Sequence, residues 1–381
     1  MISLLPILCA LGLLVSPSAA HPATNFNKAI TRVQPMSHAS LATRGRVHAN
    51  MTSWAATDVI PAANATGSLD KRGTRWGKYK SYSGDAFMDE SLWDYWTRDD
   101  PTHGKVNYVS LSQARELGLV GINPEGQFIM AASSTSTSER GRDSLRIHSR
   151  ERFSNYLVIL DLHHMPVGKG AWPAFWSNGD DSIRGWPDCG EIDILEGVHD
   201  SGQNQFTIHT ARDGSCRLNP SSDRFKYTGT FAAHQENGAC DGNLGCSVRN
   251  ADERGWGTPL NQHQGGYFVA EFSPRGVYHW FYLRQDWPES LRSLPDQIDT
   301  DVFGVPLAAF GGDGCDVGKH FTPQQFIFDI TFCGDWLAKE WAGDNDEQRR
   351  AQCEGFVMDR NNDAKFRDAY WAINSMVVYT E

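Results

Sequence analysis

"CGEIDILEGVHD", residues 189–200, carries three acids, Glu191, Asp193 and Glu196, at spacings i, i+2 and i+5. In a β-strand successive side chains point to opposite faces, so Glu191 and Asp193 share one face while Ile192 and Ile194 take the other. Unbroken alternation would set Leu195 among the acids and turn Glu196 into the apolar interior, where an unpaired carboxylate is costly. One extra residue, a β-bulge at Ile194–Leu195, removes both conflicts and returns Glu196 to the acid face. Bulges are over-represented beside active sites. The expectation is a bulged strand with all three carboxylates on one face. Three acids in six residues also occur on solvated strand edges, so the spacing alone is a weak signal.

From about residue 80 the chain reads as short strands separated by Gly, Pro, Asn and Asp. "SLRIHS" (144–149), "QFTIHT" (205–210) and "GVYHWFYLR" (276–284) alternate apolar with polar or aromatic side chains, and "YLVILDLHHM" (156–165) is apolar enough for a central strand. "QFIFDITF" (325–332) and "AINSMVVYT" (372–380) continue the series, and helices are expected only at "SLSQARELGL" (110–119) and "NDEQRRAQCEGFV" (345–357). Many strands with turns between them predict an all-β, antiparallel sandwich or barrel.

Residues 2–20 are apolar and uncharged and end in Ser18, Ala19 and Ala20, so residues 1–20 are read as a cleaved signal peptide. Residues 21–72 are rich in Ala, Thr, Ser and Asn, contain the acceptor sites Asn50 and Asn64, and end at Lys71-Arg72; they are read as a removable pro-segment. Residues 73–381 are expected to form one domain. That remainder has 29 basic and 44 acidic residues, a net charge of −15, which excludes nucleic acid or an anionic membrane as an electrostatic partner. A neutral polymer fits better. Seven of the eight cysteines remain after the signal, an odd number, and in an exported chain they are disulfide formers. Cys189 is the candidate for the free thiol; the pairing of the other six is open.

Two carboxylates about 5–5.5 Å apart suit retaining glycoside hydrolysis, one as nucleophile and the other as acid and then base. Like charges that close share a proton, keeping one group ionised and the other an acid near neutral pH.

"WPDCGEIDILEGV" (186–198) resembles the ExDxxE signature of glycoside hydrolase family 16 in its laminarinase-like form. "DPTHGKVNYVSLSQARELGLV", "GRDSLRIHS", "LVILDLHHMPVGKGAWPAFW", "NQFTIHT" and "FCGDW" resemble fungal secreted endo-1,3(4)-β-glucanases in the same order, across roughly residues 78–381. The resemblance implies a jelly-roll β-sandwich with a concave glycan cleft. Glu191 is then the nucleophile, Asp193 its assistant and Glu196 the acid/base. Cys189 departs from the pattern, in which a small or amide residue is more usual.

Neutral sugars are held by aromatic rings on their apolar faces and by fixed polar groups on their hydroxyls. Trp176 and Trp186, which precede turns upstream of the acids, match subsite positions of the family. Trp172 is expected in the core. Trp280, on one face with Tyr278 and Tyr282, is counted with the cleft, a core position being the alternative. His209 is expected on the acid side, near Glu196, through a hairpin joining its strand to that of the acids. Arg146 and Asn107 resemble residues that bind sugar hydroxyls, with Arg142 a rival for the role of Arg146.

No cofactor and no metal are expected. "HH" at 163–164 diverges in a strand, and the Asp-rich turns at 178–182 and 311–316 lack the spacing of a calcium loop. The sequence is therefore read as a secreted, monomeric retaining endo-glycosidase acting on β-1,3- or mixed β-1,3/1,4-glucan. The alternatives are an endo-β-1,3-galactanase or a transglycosylase on the same scaffold and, in another class, a non-catalytic β-glucan-binding protein.

Overall fold

The computed structural model describes residues 74–135, 137–198, 201–218, 226–232 and 238–381. The expected signal peptide and pro-segment, with Asn50, Asn64 and Lys71-Arg72, lie outside the described residues.

Two antiparallel sheets stack face to face. One has the strand order Thr230–Ala232, Cys246–Arg249, Gln205–His209, Glu191–Glu196, Ala171–Asn178, Gln325–Phe332, Arg146–Ser149 and Trp93–Tyr95. The other runs Gln297–Asp299, Arg75–Tyr82, Tyr370–Thr380, Tyr156–His164, Gly266–Ser273, Gly276–Leu283 and Ala308–Phe310, with Phe128–Ala131 and Val120–Ile122 attached beside Tyr370–Thr380. Neighbours in the order are often distant in the chain, as in a jelly roll rather than a meander.

Alternation decides which side chains fill the space between the sheets. Phe175, Ile192, Phe206 and Phe328 from the first sheet meet Val158, Leu160, Phe268 and Val277 from the second, all fully buried in one cluster. Phe175 and Phe328 stack with centroids 4.3 Å apart. A second cluster (Trp76, Ile159, Tyr278, Trp280 and Trp287 among others) lies on the opposite face of the second sheet. That sheet is thus covered on both faces, while the first has one face left for a site.

Both expected helices form, and among the described residues three short α-helices that the sequence reading lacks, Gly257–Gln262, Val317–His320 and Gly334–Leu337, add to them. Leu111–Leu117 starts at a Ser110 capping box with Gln113 and ends at Gly118 in the left-handed conformation. Asp346–Met358 is capped by Asn345, whose side chain accepts the Gln348 N–H. Disulfides join Cys216 to Cys315, Cys240 to Cys246 and Cys333 to Cys353, and among the described residues Cys189 is the free, buried cysteine.

Candidate active site

The strand Glu191–Glu196 pairs with Ala171–Asn178 in a register that jumps: Asp193 faces Trp176, but Leu195, not Ile194, faces Phe175, and Glu196 faces Ala174. Ile194 is the extra residue of a β-bulge. Ile192, Ile194 and Leu195 all enter the core, and the three acids stay together on the open face. A bulge leaves backbone groups without ladder partners. Here Asn204 supplies them: its Oδ1 accepts the Glu196 N–H at 2.9 Å and its Nδ2 donates to Ile194 O at 3.0 Å. Asn204 was not anticipated, since only its position in the turn before Gln205 hinted at a role.

Each acid has its own surroundings. The Trp186 indole N–H donates to Glu191 Oε2 at 2.8 Å, and the Trp172 indole N–H donates to Glu196 Oε1 at 2.9 Å. His209 lies directly across from Glu191 in the hairpin register, with Nε2 3.4 Å from Asp193 Oδ2 and 3.8 Å from Glu191 Oε1. The hairpin is as expected, but its antiparallel register puts His209 at the Glu191 end of the strand rather than near Glu196.

Burial, reinforced by the neighbouring acids Asp193 and Glu191, pushes the Glu196 carboxyl well above its usual range. Burial and Asp193 also raise Glu191, to about 8, against the opposing pull of the His209 charge and the Trp186 N–H. Burial disfavours a charged His209, but its contact with Asp193 and the charge of Glu191 outweigh it and lift the imidazole to about 10. The site therefore favours an imidazolium beside Glu191 and Asp193, and burial among like charges favours a protonated carboxyl at Glu196. Glu191, Asp193 and His209 also offer ligand atoms within 4.8 Å of one another, dimensions a cation could use. A cation there would have to displace the proton from Nε2, since a protonated nitrogen has no lone pair to offer.

Trp176 and Arg146 share this face. The Trp176 N–H donates to Asp329 Oδ2 at 3.1 Å, and the Arg146 guanidinium lies 4.9 Å from the Trp176 ring centre and 3.7 Å from Asp329. Burial raises Asp329 to about 7 despite Arg146. Arg142, the rival, is fully buried elsewhere, bound to Val357 O, Ser133 O and Asp363. Asn107 stands in a small parallel sheet formed with Arg142–Ser144, where its amide donates to Asp143 and its oxygen accepts from Arg140.

Two expectations are corrected. Trp280 is not in the cleft: it lies on the far face of the second sheet, packed on Phe303, with its N–H donating to Gly304 O. Trp172 is not a core residue but half-buried beside the acids, edge-on to Trp336 at 5.5 Å. Cys189 is fully buried, and burial and then the Glu191 charge raise its thiol to about 11, which keeps it protonated and unreactive.

A family model described as "XgeA-like, catalytic GH16 domain" matches residues 93–379. A probable glycosidase of Schizosaccharomyces pombe is 39% identical over 306 residues, 79% of this chain and 68% of the relative. A probable endo-1,3(4)-beta-glucanase of Neosartorya fischeri is 38% identical over 309 residues, but the match spans only 45% of that longer protein. Among solved structures, GH16 laminarinase 16A of Phanerochaete chrysosporium, holding beta-glucans in donor and acceptor sites, superposes with a TM-score of 0.71 at 33% identity, over 81% of this chain and 100% of that one. An elongating GH family 16 beta-1,3-glucosyltransferase gives 0.70 at 35% identity, over 80% and 100%.

Proposed function

Because this chain belongs to glycoside hydrolase family 16, we propose that it cleaves internal bonds of β-1,3- or mixed β-1,3/1,4-glucan with retention of configuration. The observation that carries this reading is the bulge, which sets three carboxylates on one open face, where burial favours a proton on Glu196. Glu191 attacks the anomeric carbon while Glu196 gives its proton to the departing glycosidic oxygen, leaving a glycosyl ester on Glu191. Glu196, now ionised, takes a proton from water, whose oxygen displaces Glu191. Asp193 orients Glu191, and the His209 imidazolium favours its ionised form. Each step uses the chain's own carboxyl groups.

Trp176 and Trp186 are assigned to the sugar faces, and Arg146 to hydroxyls beside Trp176. Asn107 is assigned to sugar hydroxyls too, although it lies in a separate small sheet and both ends of its amide are engaged within the protein. One chain supplies every residue named, so a monomer suffices. Among the described residues no helix is long and apolar enough to cross a membrane, and three disulfides form, as in proteins exposed to an oxidising exterior. We assign residues 1–20 to a signal, 21–72 to a pro-segment and 73–381 to the catalytic domain of a secreted enzyme.

A transglycosylase remains a second reading, favoured by the likeness to a glucosyltransferase, since transfer to a sugar passes through the same glycosyl ester. The test is a panel of laminarin, lichenan, galactan, agarose and cellulose, with product sizing and NMR of the anomers. Short β-anomeric products from laminarin or lichenan support the assignment, products longer than the substrate support transfer, and cleavage of galactan alone refutes it.

A further inference from the structure

The His209 ring is held from two sides. Its Nε2 faces Asp193 and Glu191, and its Nδ1 lies 2.9 Å from Gly242 O. A carbonyl only accepts, so Nδ1 carries a proton in that contact. Gly242 belongs to the turn closed by the Cys240–Cys246 disulfide, whose cysteines are six positions apart. The turn is fastened to the His209 strand. Thr210 N–H donates to Cys240 O at 2.9 Å, Gly242 N–H donates to Thr210 O at 3.0 Å, and Cys246 pairs with Ile208.

Little slack is left between turn and ring. A Cβ on Gly245 would stand 2.9 Å from His209 Nδ1 and 2.5 Å from Ile208 O, and both Gly242 (φ +69°) and Gly245 (φ +58°) are left-handed. Glycine alone combines that backbone with that proximity. The charged groups facing the ring and turn include Glu191, Asp193 and Glu196 on the acid strand, Asp241 within the turn itself, and Arg212, whose side chain lies against Gly242 and donates to Asn243.

We propose that the disulfide-closed turn Cys240–Cys246 is a positioning element for the acid cluster, acting through His209 by fixing the ring with Nε2 toward Asp193 and Glu191. The proposal rests on the role given to Glu191 above. Opening the disulfide frees the turn, withdraws the Gly242 carbonyl and lets the ring rotate. Glu191 then loses part of its counter-charge, so the acid limb of the kcat/KM profile moves to higher pH.

The test is a double-mutant cycle: Cys240→Ser/Cys246→Ser, His209→Asn, and the combination, each assayed on laminarin across pH. Opening the disulfide should cost about ten- to a hundredfold in kcat/KM, the scale of a small misplacement at a reacting centre. With His209→Asn already present it should cost under about twofold, because the two act through one path. Equal losses in both backgrounds, or no loss in the first, overturn the proposal. If the serine pair does not fold, Gly245→Ala keeps the disulfide, presses on the ring and enters the same cycle. A reading without substrate comes from the imidazole ¹⁵N spectrum of His209. The wild-type ring should titrate near 10, and the variant's should fall toward about 6.5. An unchanged titration overturns the proposal. Failure of the wild type to cleave any β-glucan would refute the assigned function instead, and the imidazole spectrum would still decide this point.

Discussion

Asn204 accepts the Glu196 N–H at 2.9 Å and donates to Ile194 O at 3.0 Å, so a single side chain closes both ends of the bulge that turns Glu196 toward its fellow acids. Asn204 is fully buried. Asn204→Leu keeps the bulk and removes both bonds, at about 1–3 kcal/mol for each buried group left unpaired. A lower melting temperature is expected together with a kcat loss of about tenfold or more, because the carboxyl is displaced. A loss of stability with kcat unchanged in the folded fraction would mean that the bulge holds its shape without Asn204.

Glu196 stores instability as well as a proton. Its folded pKa is raised, so between the unfolded value and the folded one the native state binds more protons than the unfolded chain, and stability falls as pH rises. Glu196→Gln removes that dependence. The variant should melt higher than wild type at pH 7–8, by about 2–4 °C per kcal/mol relieved, and the gap should shrink toward pH 4. A gap independent of pH would show Glu196 to be ordinary in its titration.

Trp172 tunes the same group. Its indole N–H on Glu196 Oε1 holds the carboxyl down against burial. Trp172→Phe should let the pKa rise further, so the basic limb of kcat/KM should move to higher pH. A shift to lower pH, or none, would separate Trp172 from the proton donor.

His279 carries a liability of the opposite sign. It lies between the sheets, stacked on Phe206 at 4.8 Å, with neither ring nitrogen hydrogen-bonded. Burial depresses it to about 3. The unfolded chain takes up this proton below about 6.5, so stability is lost as pH falls from there toward 3. His279→Leu should melt higher than wild type at pH 4–5, with less advantage at pH 7. An advantage that grows with pH would contradict the assignment.

The acid face was legible because charge and alternation conflict within six residues and only a bulge reconciles them. Strand patterns reach an antiparallel sandwich or barrel and the family resemblance narrows it to the sandwich, while the odd cysteine count leaves one thiol over and its place beside the acids picks Cys189. Trp280 was misread because alternation says which side chains share a face, not which faces look onto a cleft. The outer face of its sheet is covered by residues 284–304, whose short 3-10 turns leave no periodic signal. Trp172 and Asn204 act through hydrogen bonds to residues 24 and 8 positions away, set by register and hidden from local pattern. The hairpin from Glu196 to His209 was visible, but its register, which fixes His209 opposite Glu191, was not.

The most direct measurement is the anomeric configuration of glycosyl azides formed by alanine variants on an aryl β-glucan oligosaccharide, whose leaving group needs no proton. Glu196→Ala should still form the glycosyl ester on Glu191, and azide should resolve it to the β-azide. Glu191→Ala should accept azide directly and give the α-azide, and each variant should be nearly inactive on laminarin. Exchanged configurations would swap the two roles, and a Glu196→Ala variant that cleaves laminarin at the wild-type rate would remove Glu196 from the chemistry altogether.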